Sequence, residues 1–466
     1  MILKLSFFVT FLYVTQSEYV SYNEQKVYKV LPSSKKHVDV LNDMRNQNEY
    51  MFWIDQSVIG RDDRIMVRPE KQQKFEKSMH DAGINFEVVI DDVQKAISNQ
   101  MTRSKTRNSI MNYAFDEYLT LDEIYEWMAR ISSEHPNTSS IVTIGQTAEG
   151  RDIKGIVIDF VKMKFSSVGV IEGGLHAREW ISPATCMWII EKFLTSTDPG
   201  IRAIADDVQW HIFPVTNPDG YVYTFTHNRM WRKNRNPLNF TSCAHLNLDD
   251  DSSVGVDLNR NFGYKWMHIG GSQNPCDQIF SGPSAFSEEE SRALSNYIYT
   301  LIENKHTMLY YISFHSFSEL LLIPYSDVDG ANVLEIEHYA DLFEIGICAM
   351  DKLEEKYGTS FDVGTAKEVL YQVTGTGFDW AKAYGKFPIS YLFELRDRGY
   401  YGFLLPPEMI IPNNEEVMDA LVEIHRKVKS MGYYQYSPLP SKANGLLTNG
   451  VIVLPAVLYS LYAYLI

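Results

Sequence analysis

The segment Val168-Gly169-Val170-Ile171-Glu172-Gly173-Gly174-Leu175-His176-Ala177-Arg178-Glu179-Trp180-Ile181-Ser182-Pro183 decides how the chain is read. Val168 to Ile171 is an apolar run of strand type, Glu172-Gly173-Gly174 is a turn, and Pro183 can open a helix. His176 and Glu179 therefore fall at the carboxyl end of a strand, where open α/β sheets place their sites. A histidine and a glutamate three residues apart can turn toward one ion. Zinc accepts His nitrogen and Glu oxygen at ~2.0–2.2 Å and keeps one position open when catalytic. Alone the pair is a weak signal, since a chain with 12 histidines gives such a match by chance. A third ligand must come from elsewhere. His315 ends the apolar run Met308 to Ile312, in Ser313-Phe314-His315-Ser316, and is the candidate. The alternative is a histidine satisfied within the core.

Outward from this segment, Tyr113 to about Tyr434 alternates strand-like and helical patterns. The strand-like runs include Ile141–Ile144, Lys154–Ile158, Val168–Ile171, Trp210–Pro214 and Leu309–Phe314. The helical patterns include Thr120–Ser132, Pro183–Thr195 and Ser287–Glu303. This predicts an α/β domain over 108–436, a wide mixed sheet with helices on both faces. Ahead of it, residues 18–107 read as a separate α+β open sandwich. Strands at Val27–Pro32, Tyr50–Ile54, Arg64–Arg68 and Asn85–Ile90 frame helices at Lys36–Asn46 and Gln72–Ala82. The stretch Met101-Thr102-Arg103-Ser104-Lys105-Thr106-Arg107 is basic and aperiodic, an exposed linker that a trypsin-like protease can cut near 103–107.

The chain has 466 residues, 45% hydrophobic and 22% charged, as expected of a globular protein. With 43 basic against 59 acidic side chains the net charge is −16, which argues against nucleic acid as a partner. Four cysteines are too few for a small disulfide scaffold. Residues 1–17 have the charged start, apolar core and small-residue cut of a secretory signal. Residues 437–466 run from small residues into an uncharged apolar tail, the pattern of a GPI-anchor signal. The sequons Asn137-Thr138-Ser139 and Asn239-Phe240-Thr241 suit a secreted glycoprotein, anchored at the cell surface if the tail signal is used.

Six ordered motifs then become recognisable. They are Gly174–Pro183, Asn228-Arg229-Met230-Trp231-Arg232-Lys233-Asn234-Arg235, Val256-Asp257-Leu258-Asn259-Arg260-Asn261, His315-Ser316-Phe317-Ser318, Leu370-Tyr371-Gln372 and Phe393-Glu394-Leu395-Arg396-Asp397. Together they resemble the zinc metallocarboxypeptidases of the pancreatic A/B type, and residues 19–107 resemble that family's inhibitory activation segment. The resemblance implies one zinc ion per catalytic domain on His176, Glu179 and His315, with an ion-activated water as nucleophile. It makes Glu394 the general base and Arg232 the oxyanion stabiliser. It assigns Asn259 and Arg260 to the substrate's terminal carboxylate and Tyr371 to closing over that end. Arg178, Arg229, Ser316 and Phe403 match subsite positions, and Phe317 stands where a tyrosine is common. Asp257 matches a residue holding His176 through its second nitrogen. Cys243 and Cys276 match a disulfide, while Cys186 and Cys348, on apolar helical faces, are expected to be buried thiols.

The resemblance also assigns the side-chain pocket to Leu322, Ser326, Ala366, Val373, Phe378 and Leu392. Phe378 leaves the pocket without a counter-charge, so apolar or aromatic C-terminal residues are expected, with medium aliphatic ones suiting its bulk. Ser326 occurs in basic-specific relatives and points the other way. The implied protein is a monomeric, secreted zymogen acting on peptide or protein C-termini. The alternatives are a catalytically silent peptide-binding surface protein of the same fold and an enzyme of basic specificity.

Overall fold

The computed structural model describes residues 19–103, 113–161, 166–244 and 250–433. The leader, the sequence after Arg103 in the basic linker, and the apolar tail lie outside these residues.

The N-terminal unit comprises β1 (Lys26–Leu31), α1 (Lys35–Asn46), β2 (Met51–Phe52), β3 (Asp63–Val67), α2 (Pro69–Ala82), β4 (Asn85–Ile90) and α3 (Val93–Gln100). Its sheet runs β2-β3-β1-β4, with the central pairs antiparallel. Pro69 opens α2, and Gly83, at φ 70°, closes it in the left-handed region that glycine tolerates. Phe75 and Met79 of α2 join Leu41 of α1 and Tyr28, Val30 and Ile65 of the sheet in one core. The sequence reading lacks α3, whose eight residues sit beside the basic linker. Asp92 caps it by accepting from Lys95 N.

The larger unit begins with α4 (Leu121–Glu134), β5 (Ser139–Gln146), β6 (Asp152–Ile158), β7 (Ser167–Glu172), α5 (Ile181–Thr195), α6 (Pro199–Asp207), β8 (Gln209–Phe213) and α7 (Pro218–Thr226). It continues with α8 (Glu289–Glu303), β9 (Thr307–Ser316), β10 (Leu320–Ile323), α9 (Tyr339–Tyr357), β11 (Asp362–Thr365), α10 (Ala366–Val369), α11 (Gly377–Ala383), β12 (Ile389–Leu395) and α12 (Ile410–Ser430). Eight strands form one mixed sheet in the order β11-β10-β12-β9-β7-β8-β6-β5. Its two faces are covered by separate apolar layers. One contains α5, α9 and α12, the other α8 and α11. The short strands β10 and β11 are absent from the sequence-read set because four residues carry no decisive period. Thr120 and Glu123 form a reciprocal capping box at the start of α4, and Arg103 ion-pairs with that same Glu123 at 3.0 Å.

Cys243 and Cys276 are joined, with Cα atoms 5.8 Å apart. Cys186 is buried in α5. Cys348 is only half-buried, against expectation. The inward stripe of α9 is Leu342, Ile345, Gly346, Ala349, Met350 and Leu353, and Cys348 lies at its edge. Among the described residues no helix is long and apolar enough to cross a membrane.

The turn after β7 depends on Gly174, at φ 62°, where an added Cβ would lie 3.1 Å from Pro214 O. Gly174→Ala should destabilise the protein by roughly 1–2 kcal/mol, read as a lower denaturant midpoint.

Candidate functional site

Strands β12, β9 and β7 are parallel neighbours at the centre of the sheet, so their carboxyl ends meet. Register sets Glu394 directly opposite His315. The glycine turn after β7 brings His176 and Glu179 to the same edge. His176 Nδ1 lies 2.8 Å from Glu179 Oε1 and 3.0 Å from His315 Nδ1, and His315 Nδ1 lies 2.9 Å from Glu179 Oε2. Two imidazole nitrogens and a carboxylate thus face one point, an arrangement suited to a shared cation or proton. Burial alone would lower the pKa of His315, yet the Glu179 carboxylate pushes it up to about 9. The cluster attracts even a proton. Its donor atoms lie within 4.8 Å of one another, and their His, Glu and His chemistry suits a divalent ion of zinc type. His176 Nε2 faces Asp257 Oδ1 at 3.0 Å, a contact that would leave the Nδ1 lone pair for an ion held in the cluster.

Glu394 forms part of the adjoining cavity wall. Burial pushes its pKa up to about 8, with the nearby Glu179 carboxylate adding to the rise. A divalent ion in the cluster would pull it back down. Ser316 donates its backbone N–H to Glu179 Oε2 at 3.2 Å.

The cationic half of the cavity is built around Asp257. Its Oδ2 accepts from Arg232 Nε at 3.0 Å and Nη2 at 2.8 Å. Arg260 is aimed by its own bonds to Gly270 O at 2.8 Å and Asn259 O at 3.0 Å. The Asn259 side chain spans from Gly377 N, at 3.0 Å, to 3.5 Å from His315 Nε2.

The site already contains a carboxylate that the sequence reading missed. Asp55 Oδ2, from the N-terminal unit, accepts from Arg260 Nη2 at 2.8 Å, Tyr371 OH at 2.8 Å and Arg232 Nη2 at 3.2 Å. Burial would raise the pKa of Asp55, but Arg232 and Arg260 outweigh it and hold the carboxyl below its usual range. Two residues earlier, Trp53 is 2% exposed and packs on Phe403 at 5.2 Å and Phe317 at 6.1 Å between ring centroids. Neither residue stands in a local motif that could have marked it.

Arg178 and Arg229 are buried but do not line the cavity. The Arg178 guanidinium lies 4.2 Å over the Phe403 ring. Arg229 sits behind it on Trp180 and donates to Gln100 Oε1, of α3, at 2.8 Å. Leu322, Ser326, Ala366, Val373, Phe378 and Leu392 do line the cavity, joined by Thr376 and Leu370.

The chain is similar to known proteins over both of its units. A family profile described as "Zinc carboxypeptidase" matches residues 124–420, and one described as "Carboxypeptidase activation peptide" matches 28–100. A zinc carboxypeptidase from Simulium vittatum is 41% identical over 322 residues, covering 69% of this chain and 100% of its own. "Zinc carboxypeptidase A 1" of Drosophila melanogaster is 34% identical over 430 residues, covering 90% and 95%. A crystal structure of thrombin activatable fibrinolysis inhibitor superposes with a TM-score of 0.77 at 28% identity, covering 87% of this chain and 99% of its own.

Asp257→Asn should weaken metal affinity about 10–100-fold, as loss of a ligand's outer partner does. Equilibrium competition against a fluorescent chelator measures it.

Proposed function

Since the chain belongs to the zinc carboxypeptidase family and carries that family's activation peptide, we propose that it is a secreted exopeptidase zymogen that removes uncharged, apolar or aromatic C-terminal residues. The observation that carries this reading is the Asp55 carboxylate lodged between Arg260, Arg232 and Tyr371. A pocket that binds a side-chain carboxylate there is suited to the free carboxylate that defines a chain terminus.

His176, Glu179 and His315 would hold a single zinc ion, which when bound would supply an acidified water, with its pKa lowered toward ~7, and polarise the scissile carbonyl. Arg260, Asn259 and Tyr371 bind the terminal carboxylate, the guanidinium offering parallel donors. Arg232 donates to the carbonyl oxygen as it gains charge, its Nη2 being released from Asp55 when the activation segment leaves. Glu394 takes a proton from the attacking water and passes it to the leaving amine. Leu322, Ala366, Val373, Phe378 and Leu392 receive the departing side chain. Asp379 is no counter-charge for a basic residue. Its two oxygens accept from Ser326 N at 3.2 Å each, and burial pushes its pKa up to about 7.

The activation segment inhibits by occupation. Asp55 takes the carboxylate site and Trp53 covers the aromatic wall, so release requires a cut in the basic linker near 103–107. The proposed units are a leader over 1–17, the segment over 18–107, the catalytic domain over 108–436 and a GPI-signal tail over 437–466. Release of activity from expressing cells by a GPI-specific phospholipase tests the tail.

The function is tested with blocked dipeptides ending in Phe, Leu, Lys or Glu, before and after limited trypsin and with a chelator. Chelator-sensitive hydrolysis of the Leu and Phe substrates after cleavage is expected, and a preference for Lys contradicts the pocket reading. Glu394→Gln should lower kcat about 10²–10⁴-fold. Asp55→Ala should give measurable hydrolysis by the uncut protein, which is silent in the wild type. Because the Asp55 pKa is depressed in the folded state, its contribution is complete above the free value of about 3.9 and is lost as pH falls through the bound value. The uncut protein should therefore stay silent from pH 7 to about 5 and loosen only in stronger acid, followed by tryptophan fluorescence.

A further inference from the structure

The loop that carries Asp55 has no ladder of its own. It joins β2 to β3, and its residues Trp53, Ile54 and Asp55 line the cavity. Trp53 N donates to Arg64 O at 2.8 Å. Beyond it, Ile54, Asp55, Gln56 and Ser57 make no backbone–backbone hydrogen bond among the described residues. A carboxylate on so bare a stretch would have to be ordered at the moment it enters the cavity, at a cost in chain entropy.

The missing support comes from behind the loop, from α1. Arg45, in the last turn of that helix, donates through Nη1 to Ile54 O at 2.5 Å and through Nη2 to Ser57 Oγ at 3.1 Å. The two bonds bracket Asp55. Because a peptide unit is planar, fixing the Ile54 carbonyl also fixes the Asp55 N–H and the direction in which that residue leaves the chain. The guanidinium is itself held. It lies 4.1 Å from the centre of the Phe52 ring, and its Nη2 is 3.8 Å from Asp63 Oδ1. Ser57 Oγ donates in turn to Asp63 Oδ2. Asp63 is 1% exposed and Ser57 is 8% exposed, so little water competes for these bonds. The neighbouring Arg64 has a different task. It donates to Gly399 O at 2.5 Å and Arg398 O at 2.7 Å and so helps to seat the unit on the catalytic domain. The bonds of Arg45 all stay within the activation segment.

We propose that Arg45 is the positioning residue of the inhibitory contact. By pinning the Ile54 carbonyl and Ser57, it aims the Asp55 carboxylate at Arg260, Arg232 and Tyr371. The loop is then ordered when the segment folds rather than when it docks, which tightens the contact without adding a bond to it. The inference rests on the carboxypeptidase reading and concerns the regulation of that same site.

The test uses the full-length protein, uncut and trypsin-activated, with the blocked dipeptide ending in leucine. Arg45→Met keeps an unbranched stem beside Phe52 and removes both bonds. Uncut, it should exceed the background kcat/KM of the uncut wild type by about tenfold or more, as loss of bonds from a charged donor implies. Joined to Asp55→Ala, it should stay within about twofold of Asp55→Ala alone, because a residue that acts through Asp55 adds nothing once Asp55 is gone. A merely structural role would add in full, since Trp53 still covers the aromatic wall in Asp55→Ala. After trypsin every Arg45 variant should match the wild type, because Arg45 leaves with the segment. Arg45→Lys keeps a charge near Asp63 but loses the fork, and should fall between the wild type and Arg45→Met. Should Arg45→Met fail to fold, Arg45→Lys decides by the same comparison. Uncut variants as silent as the wild type, or a rise that multiplies with that of Asp55→Ala, overturn the inference and leave the carboxypeptidase reading intact. A trypsin-activated wild type that cleaves neither the Leu nor the Phe substrate overturns both.

Discussion

One buried carboxylate ties the two halves of the cleft together. Asp257 is wholly buried, faces His176 with one oxygen and takes both Arg232 bonds on the other. Burial would raise its pKa, but Arg232, Arg260 and His176 hold it well below the carboxylate range. An ion so deeply buried is tolerable only when paired. The pairing fixes the ring nitrogen that His176 turns toward the metal cluster and the direction in which Arg232 points. The His176–Glu179–His315 cluster and Arg232 are therefore not independent, and the sheet supplies the remainder by ending β7, β9 and β12 at one edge.

The activation segment exploits the same electrostatics. Arg232 and Arg260 need an anion wherever they are buried, and Asp55 provides one before any substrate can. Its grip is reinforced away from the charge. Gln56 reaches Gln372 O at 3.4 Å and Arg61 reaches Glu368 O, on either side of Tyr371. On the far wall Gln100 donates to Phe403 O at 3.0 Å and Leu405 O at 3.1 Å while accepting from Arg229. Inhibition is thus distributed over contacts that a single cut in the linker does not itself break, so dissociation of the segment is a separate step from its cleavage.

The difference between what was legible in the sequence and what was not follows from the range of the signal. His176, Glu179, His315 and Glu394 each stand at the end of an apolar strand, a local pattern. The alternation that predicts a wide sheet is local too, and the sheet has that form. Asp55 acts across chain separations of 177 to 316 residues, Gln100 across 129 to 305, and Trp53 reaches Phe317 and Phe403, and their neighbours in sequence carry no trace of it. Cys348 shows the limit of periodicity, which placed it on an apolar helix face but could not tell the middle of the buried stripe from its edge.

The central claim is that the cavity reads a free terminal carboxylate beside a metal centre. The most direct measurement compares one blocked dipeptide ending in leucine with the same compound as its C-terminal amide, using the trypsin-activated protein. The account predicts cleavage of the acid and at least a 10²-fold lower kcat/KM for the amide, because Arg260 loses its charged partner, a loss of about 2.7 kcal/mol or more. Equal cleavage of acid and amide would contradict it and would make the protein an endopeptidase or a site with a different clamp.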